Sequence, residues 1–520
     1  MPYVYKKRPL HLLISFVSLL IIDLIPTSLQ AQLRLSSLSE MQVGNIPRRE
    51  PSDLRTLYQQ FNFGYSMNDV RFGLRSEAFG TSESGRNYSE IRQRFVSYRS
   101  GSLQATLGHF YAIVGSGLLA HTFELPGVLT EQRGSRRRYQ IVRDLDGMHL
   151  RYGKTWGNIQ LLRGKPINSD LPPGLKGINR RQGTIQGGTL TLKPQSYLDI
   201  GLNLLDYDTD DRRETGTSLS GRLRLNSLLS TVGWDETYVD LYGEYARRDL
   251  GSGAVFSLNR DLSRALYLSM TMTAGAWGFS LEFKDYRDFA LTQINNPPPL
   301  IREHSAYLLN RITHDLLADD ERGFQSELSY TTEEGYVLTA NWTQAVRQLA
   351  PGRIDDKLLR EIFLQLDAPL TDHIETQLFI DFTRNQMLND QRHRIFGTLW
   401  SWSVNRHYKF DFDAQFQDVD QSFGTASYPY TNIYVNITVH NPVLSAALAL
   451  ERSTDILATG ADPSGTTWWR GLNLSVDLGT DHSASLFAGQ RRAGIACTAG
   501  TCYELLGFKG VEIRLHNRFF

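Results

Sequence analysis

Along much of its 520 residues the chain alternates apolar and polar side chains with a period of two. Near the C-terminus Val511, Ile513, Leu515 and Phe519 share one parity, and Glu512, Arg514, His516 and Arg518 the other. Phe410, Phe412, Ala414 and Phe416 alternate with Asp411, Asp413, Gln415 and Gln417. Ile433, Val435, Ile437 and Val439 alternate with Tyr434, Asn436, Thr438 and His440, and the same pattern recurs over 472–478 and 198–204. Successive side chains of a strand point to opposite faces, so each segment reads as a strand with one apolar and one polar face. Two architectures satisfy this pattern. A soluble β-sandwich or solenoid buries the apolar face inside. A membrane barrel turns it to lipid and keeps the polar face around a wet lumen.

The N-terminus favours the second. Lys6, Lys7 and Arg8 precede an apolar run over 10–25, followed by small and polar residues up to Ala31. A basic region, an apolar region and a small residue at a cleavage point read as a secretory signal peptide, here residues 1–31. An uncleaved anchor is the alternative, and Asp23 and Pro26 suit a permanent span poorly. The polar parity is heavily charged, as an aqueous interior requires. The terminal pair Phe519-Phe520 on an amphipathic strand resembles the assembly signal of outer-membrane barrels. The expected fold is all-β: a large antiparallel transmembrane barrel over 32–520, in the cell outer membrane of a Gram-negative bacterium. Its expected partners are outer-membrane lipid, lipopolysaccharide and the barrel-assembly machinery.

Composition removes other classes. Lys+Arg and Asp+Glu are equal at 55 each, which is no footprint for nucleic-acid binding. Two Cys cannot build a disulfide-rich scaffold or a four-cysteine zinc site. With 41% hydrophobic residues the chain is too apolar for disorder.

Barrel termini usually lie in the periplasm, where turns are short, while outward loops are longer. Short turns are expected at Asn68-Asp69, Ser100-Gly101, Trp156-Gly157-Asn158, 193–196, 230–236, Ala274-Gly275, 333–335, Thr371-Asp372, Asn405-Arg406, Asn441-Pro442 and 479–482. Gly, Asn, Asp and Pro supply the backbone angles of such turns. Eleven turns imply twelve hairpins and about 24 strands, within a range of 20 to 26, the first at 33–44. Tyr65, Trp156, Tyr197, Trp277, Tyr336 and Tyr408 sit beside these turns, as interfacial aromatics do. Longer polar stretches at 121–146, 168–183, 288–321 and 418–427 read as outward loops. Strands start within about 20 residues of the cleavage point, which leaves no room for the plug domain of an active TonB-type transporter.

The segment Gly108-His109-Phe110-Tyr111-Ala112-Ile113-Val114-Gly115-Ser116-Gly117-Leu118-Leu119 resembles a stretch of an uncharacterised family of exported, Bacteroidetes-type outer-membrane barrels. Asp144, Asp146 and Gly147, leading into a strand over 148–154, are similar to its following loop. So is the end of the chain, Cys497-x₄-Cys502 followed by Phe508-Lys509-Gly510-Val511. The family has no assigned chemistry, so the resemblance implies fold and location and supplies no activity.

Candidate site residues are few. Cys497 and Cys502 flank the last outward loop, and an oxidising compartment favours a disulfide there. Arg133, Arg136, Arg137, Arg138 and Arg143 form the densest basic cluster. They could bind phosphates or fold inward as a selectivity ring, or stay solvated and pair with Glu131, Asp144 and Asp146. Gly115-Ser116-Gly117 reads as a bulge or a close backbone approach. Asp319-Asp320-Glu321 after His314 offers carboxylates for Ca²⁺ without EF-hand spacing, so a solvated acidic loop is favoured. The histidines are scattered and no catalytic motif appears, so an enzyme is not expected. No cofactor is called for. The lumen should be lined by the polar parity, including Asp411, Asp413, Gln415, Glu512 and Arg514, and narrowed by the loops from His121 and Asp288. These readings favour a porin-like pore or binding channel for small solutes. An occluded scaffold for a surface or secretion assembly is the alternative, and an outer-membrane hydrolase comes third.

Overall fold

The computed structural model describes residues 33–519 except 46–52, 133, 209–212, 231–232, 235, 251–262, 290–293, 295–297, 299–301, 313–319, 348–356, 388–389, 425, 456–466 and 499–500. The expected signal peptide, residues 1–31, and Phe520 lie outside the described residues.

A 24-stranded sheet dominates, running from Leu33–Asn45 to Phe508–Arg518. Each wall strand pairs antiparallel with its neighbours, and the first pairs with the last from Ser36↔Arg518 to Asn45↔Lys509. The sheet is therefore a closed barrel, with no edge left to hydrogen-bond to lipid. The two parities separate as the alternation predicts. On the last strand Leu515 is 42% exposed on the outer wall and Glu512 9% exposed on the inner. On Tyr408–Phe423, Phe410, Phe412 and Phe416 face out while Gln415 and Gln417 are buried. A closed wall with an apolar outer face loses that surface from water only when lipid surrounds it, so the barrel spans a membrane.

Ten of the eleven short turns occur within a residue or two of the expected places. At the eleventh, expected at 230–236, the flanking strands end at Arg224 and resume at Thr237, because the short helix Asn226–Ser230 precedes the turn. Asn68 and Gly101 take φ of 50° and 53°, the left-handed angles tight hairpins need. Trp156, Trp277 and Tyr408 are exposed at this rim. One expected loop is absent. Residues 418–427 continue as strands Tyr408–Phe423 and Ala426–His440, which pair as far as Phe423↔Ala426. The strand pair continues into polar residues there, so polarity alone does not mark a loop.

The other long connections fold into the lumen. The first spans 111–144, ten residues earlier than expected, and carries two small hairpins. Its Ile113–Val114 and Ala120–His121 hairpin buries Val114, Leu118, Leu119 and Ala120 against Leu162, Ile185, Leu205 and Tyr286 of the wall. Its Phe123–Glu131 and Arg138–Arg143 hairpin buries Leu129 and Tyr139 against Leu38, Tyr58, Phe79 and Tyr88. The short helix Tyr307–Asn310 seats Leu309 against Phe363, Phe379 and Ile395. Parts of the lumen are thus dry apolar core, where alternation alone predicts a wet interior. A bulge lets Arg92 and Gln93 both turn inward, because the register between the strands Val70–Thr81 and Tyr88–Ser100 shifts between Arg75 and Ser76.

Candidate functional site: an arginine-lined vestibule beneath an inward plug

Under the first inward segment, at the short-turn end, lie two adjoining cavities of 740 and 620 Å³ that share Arg71, Arg75, Gln93 and Phe95. Arg34 and Arg518 line one, and Arg99 and Arg151 the other. These arginines come from the first strand, the last strand and three strands between, all on the inward parity, so the barrel wall itself gathers them. Phe110, Tyr111 and Glu124 form the roof. Tyr111 donates a 2.5 Å hydrogen bond to Glu124, and Arg75 pairs with the same carboxylate at 2.7 Å. Burial and the Glu124 charge push the Tyr111 hydroxyl well above its ordinary range.

The remaining arginines lack carboxylate partners among the described residues. Arg71 lies over the Phe95 ring at 5.7 Å. Arg99 donates to Gln104 at 3.1 Å and Arg151 to His149 at 3.3 Å. The nearby acids other than Glu124 are Asp69 and Asp481 at the turn rim. A cleft of mainly one sign, walled by low-dielectric barrel, focuses its field and concentrates counter-ions.

The arginine cluster predicted from sequence lies above the vestibule and is engaged internally. Arg138 pairs with Glu40 at 2.8 Å and lies 3.7 Å from Glu512. Arg137 donates to the backbone carbonyls of Arg86 and Gly85 at 3.1 and 2.8 Å. Arg136 lies 3.7 Å from Glu131, whose carboxyl is raised by burial against the pull of Arg138 and Arg136. Arg143 donates to Ser169 at 3.3 Å and lies over the Phe123 ring. Arg133 lies outside the described residues. The segment after Ile167 adds Arg181, paired with Asp144 at 2.7 Å, and Arg180, which burial and then Arg92 push down to about 10.

The predicted lumen residues sit on the inner wall in separate places. Asp411 accepts from His440 at 2.9 Å and Ser401 at 2.6 Å. Asp413 accepts from Gln415, which in turn accepts from the Leu308 amide at 2.8 Å. Glu512 pairs with Arg491 at 3.3 Å, and Arg514 pairs with Glu40. Glu40 and Glu244 went unnoticed in the sequence. Their parity points them inward, but nothing in the pattern says which loop reaches them. Glu244 receives Ser218 at 2.5 Å, Tyr242 at 2.7 Å and the Ser116 amide at 2.6 Å. Gly115 beside it has φ of 69° and a Cβ there would collide with Glu244, so the glycine serves a close approach, on a loop and not within a wall strand.

Cys497 and Cys502 are disulfide-bonded across the hairpin Gly494–Thr498 and Thr501–Leu505. Asn310 brackets Cys497, donating to its carbonyl at 2.9 Å and accepting from its amide at 2.9 Å. The predicted acidic loop is not a solvated one where it is described. Glu321 is buried against Lys284, and Asp320 accepts from the Asp288 amide at 3.2 Å. His314 and Asp319 lie outside the described residues.

A closed 24-stranded wall with a lipid-facing exterior and a charged interior defines a large outer-membrane β-barrel of porin-like architecture. Over residues 50–347 the chain matches the family of unknown function DUF6029, and it belongs to that family. No curated protein matches it. Among solved structures it is similar to Pseudomonas aeruginosa OccK3 (OpdO), at 12% identity over 69% of this chain and 92% of that one, with a TM-score of 0.42. It is also similar to Pseudomonas aeruginosa OpdQ (13% identity, 76% and 97% covered, TM-score 0.41) and to Acinetobacter baumannii OccAB1 (11%, 68% and 90%, 0.41).

Proposed function

We propose that this barrel is a porin-like passive pore or binding channel for small solutes, with a preference for anions. The observation that carries this reading is the vestibule, where Arg34, Arg71, Arg99, Arg151 and Arg518 line a cavity with no carboxylate partners among the described residues. Rings of like charge set the sign of permeant ions, and Arg matches carboxylate and phosphate geometry. The inward segments narrow the path above, which suits selection by charge and size. The test is single-channel recording of the refolded mature chain under a KCl gradient. An anion-selective reversal potential is expected, shifting toward zero in Arg71→Ala/Arg99→Ala/Arg151→Ala. Cation selectivity in the wild type would overturn the anion preference.

The apolar packing of Leu118 and Leu119 inside the lumen supports a second reading, a closed barrel that scaffolds other proteins. A folded chain that stays silent in the bilayer and co-purifies with a stoichiometric partner would decide for it.

A further inference from the structure

We propose that His304, Glu361 and Asp381 form a binding site for a first-row divalent cation, Zn²⁺ in particular, which fastens the second inward segment to the barrel wall. His304 lies on that segment, just before the helix Tyr307–Asn310. Glu361 lies on the wall strand Lys357–Thr371, and Asp381 on its neighbour Ile374–Asn385. Their register places Glu361 opposite Thr383 and Asp381 opposite Phe363, so both carboxylates occupy the inner face one step apart. One donor atom from each of the three residues lies within 4.8 Å of the others, and all three residues are buried.

A second observation is independent of this proximity. Asp381 is 0% exposed, and one of its oxygens, Oδ2, has no hydrogen-bond partner. The other oxygen accepts from Thr383 at 2.8 Å. A buried carboxylate oxygen without a partner is costly, and two carboxylates side by side away from water compound the cost. Arg302, which lies over the Phe363 ring, is paired with Glu327 at 2.7 Å. A divalent ion cancels both negative charges with a neutral imidazole as third donor, which is an arrangement of N and O ligands that suits Zn²⁺.

The geometry is close to what such an ion needs. His304 Nε2 and Glu361 Oε1 are 2.9 Å apart. Any two donors on a tetrahedral ion with bonds of about 2.1 Å stand about 3.4 Å apart. The His304–Glu361 pair has to open by about 0.5 Å and the third donor to close by at most about 1.4 Å, within the reach of carboxylate side-chain rotation. The imidazole is already oriented. It rests on the Phe363 ring at 4.5 Å, and Asn310 holds the His304 carbonyl at 3.2 Å. Ca²⁺ prefers six to eight oxygens and is poorly served by a histidine and two carboxylates. The site is far in sequence and in the wall from the arginine vestibule, so it stands or falls apart from the pore reading.

The test uses the refolded full mature barrel, stripped with chelator and titrated with Zn²⁺ alone by calorimetry. Folding is checked for every sample by heat-modifiable gel migration. One equivalent of Zn²⁺ should bind, with affinity at least tenfold weaker in His304→Gln and in Asp381→Asn. A tenfold excess of Ca²⁺ should not displace it. Co²⁺ in place of Zn²⁺ should show visible absorption bands that disappear in both variants. A folded wild type that takes up no more Zn²⁺ than the double variant His304→Gln/Asp381→Asn would overturn the proposal, as would equal uptake with no Co²⁺ bands.

Discussion

Arg138 shows how one side chain is set by everything around it. Sequence placed it in a basic run and left its direction open. The structure turns it inward, buried, between Glu40 and Glu512. A buried pair gains little over apolar packing, but breaking one strands charge in low dielectric at a cost of about 3–5 kcal/mol. Arg514 still pairs with Glu40 and Arg491 with Glu512, so Arg138→Ala should sit at the low end, about 3 kcal/mol. Denaturant unfolding in detergent reads this directly, and an unshifted midpoint would mean that the contact is incidental. What the sequence carried at this scale was parity. It put Asp411, Asp413, Gln415, Glu512 and Arg514 on the polar face and Phe410 and Val511 on the other. What it could not carry was partnership, because Glu40 and Arg138 are joined only by the path of a loop.

Among elements, strands were legible and inward segments were not. A strand announces itself by a period of two, and a tight turn by Asn, Gly and Asp, so eleven turns and 24 strands could be counted. The segments 111–144 and 302–312 have no such period, since each residue answers to a different neighbour on the wall. Their placement depends on apolar residues such as Leu118 and Leu309 finding apolar patches on an otherwise polar interior. The disulfide hairpin belongs to this tier. It closes a loop with a sequence separation of 5, so its loop-entropy contribution is about 2 kcal/mol. Its larger effect is positional, because the Asn310 contacts to Cys497 tie it to the second inward segment. Cys497→Ser/Cys502→Ser should therefore lower stability by about 2 kcal/mol and speed proteolysis around Asn310. Cleavage confined to the hairpin itself would refute that coupling.

For the whole molecule, the decisive partition is between lipid outside and a mixed interior. Leu364, 42% exposed at mid-strand on Lys357–Thr371, stands on the lipid face. Leu364→Arg should cost about 2–4 kcal/mol, as charges near the middle of the bilayer do, while a charge added on the inner parity is tolerated. Refolding yield into vesicles against urea measures this, and equal yields would contradict the assignment of faces. The barrel closes where Leu33–Asn45 meets Phe508–Arg518, and Glu40 stands on one side of that line and Glu512 on the other. Arg138 reaches both from the inward hairpin. The hairpin that narrows the passage is thus also a clasp across the join. A change that frees it to widen the channel loosens the ring where its first and last strands meet, since Arg138 adds a bridge there to the direct Arg514–Glu40 and Gln42–Glu512 contacts, so throughput and mechanical integrity are traded against each other at one join.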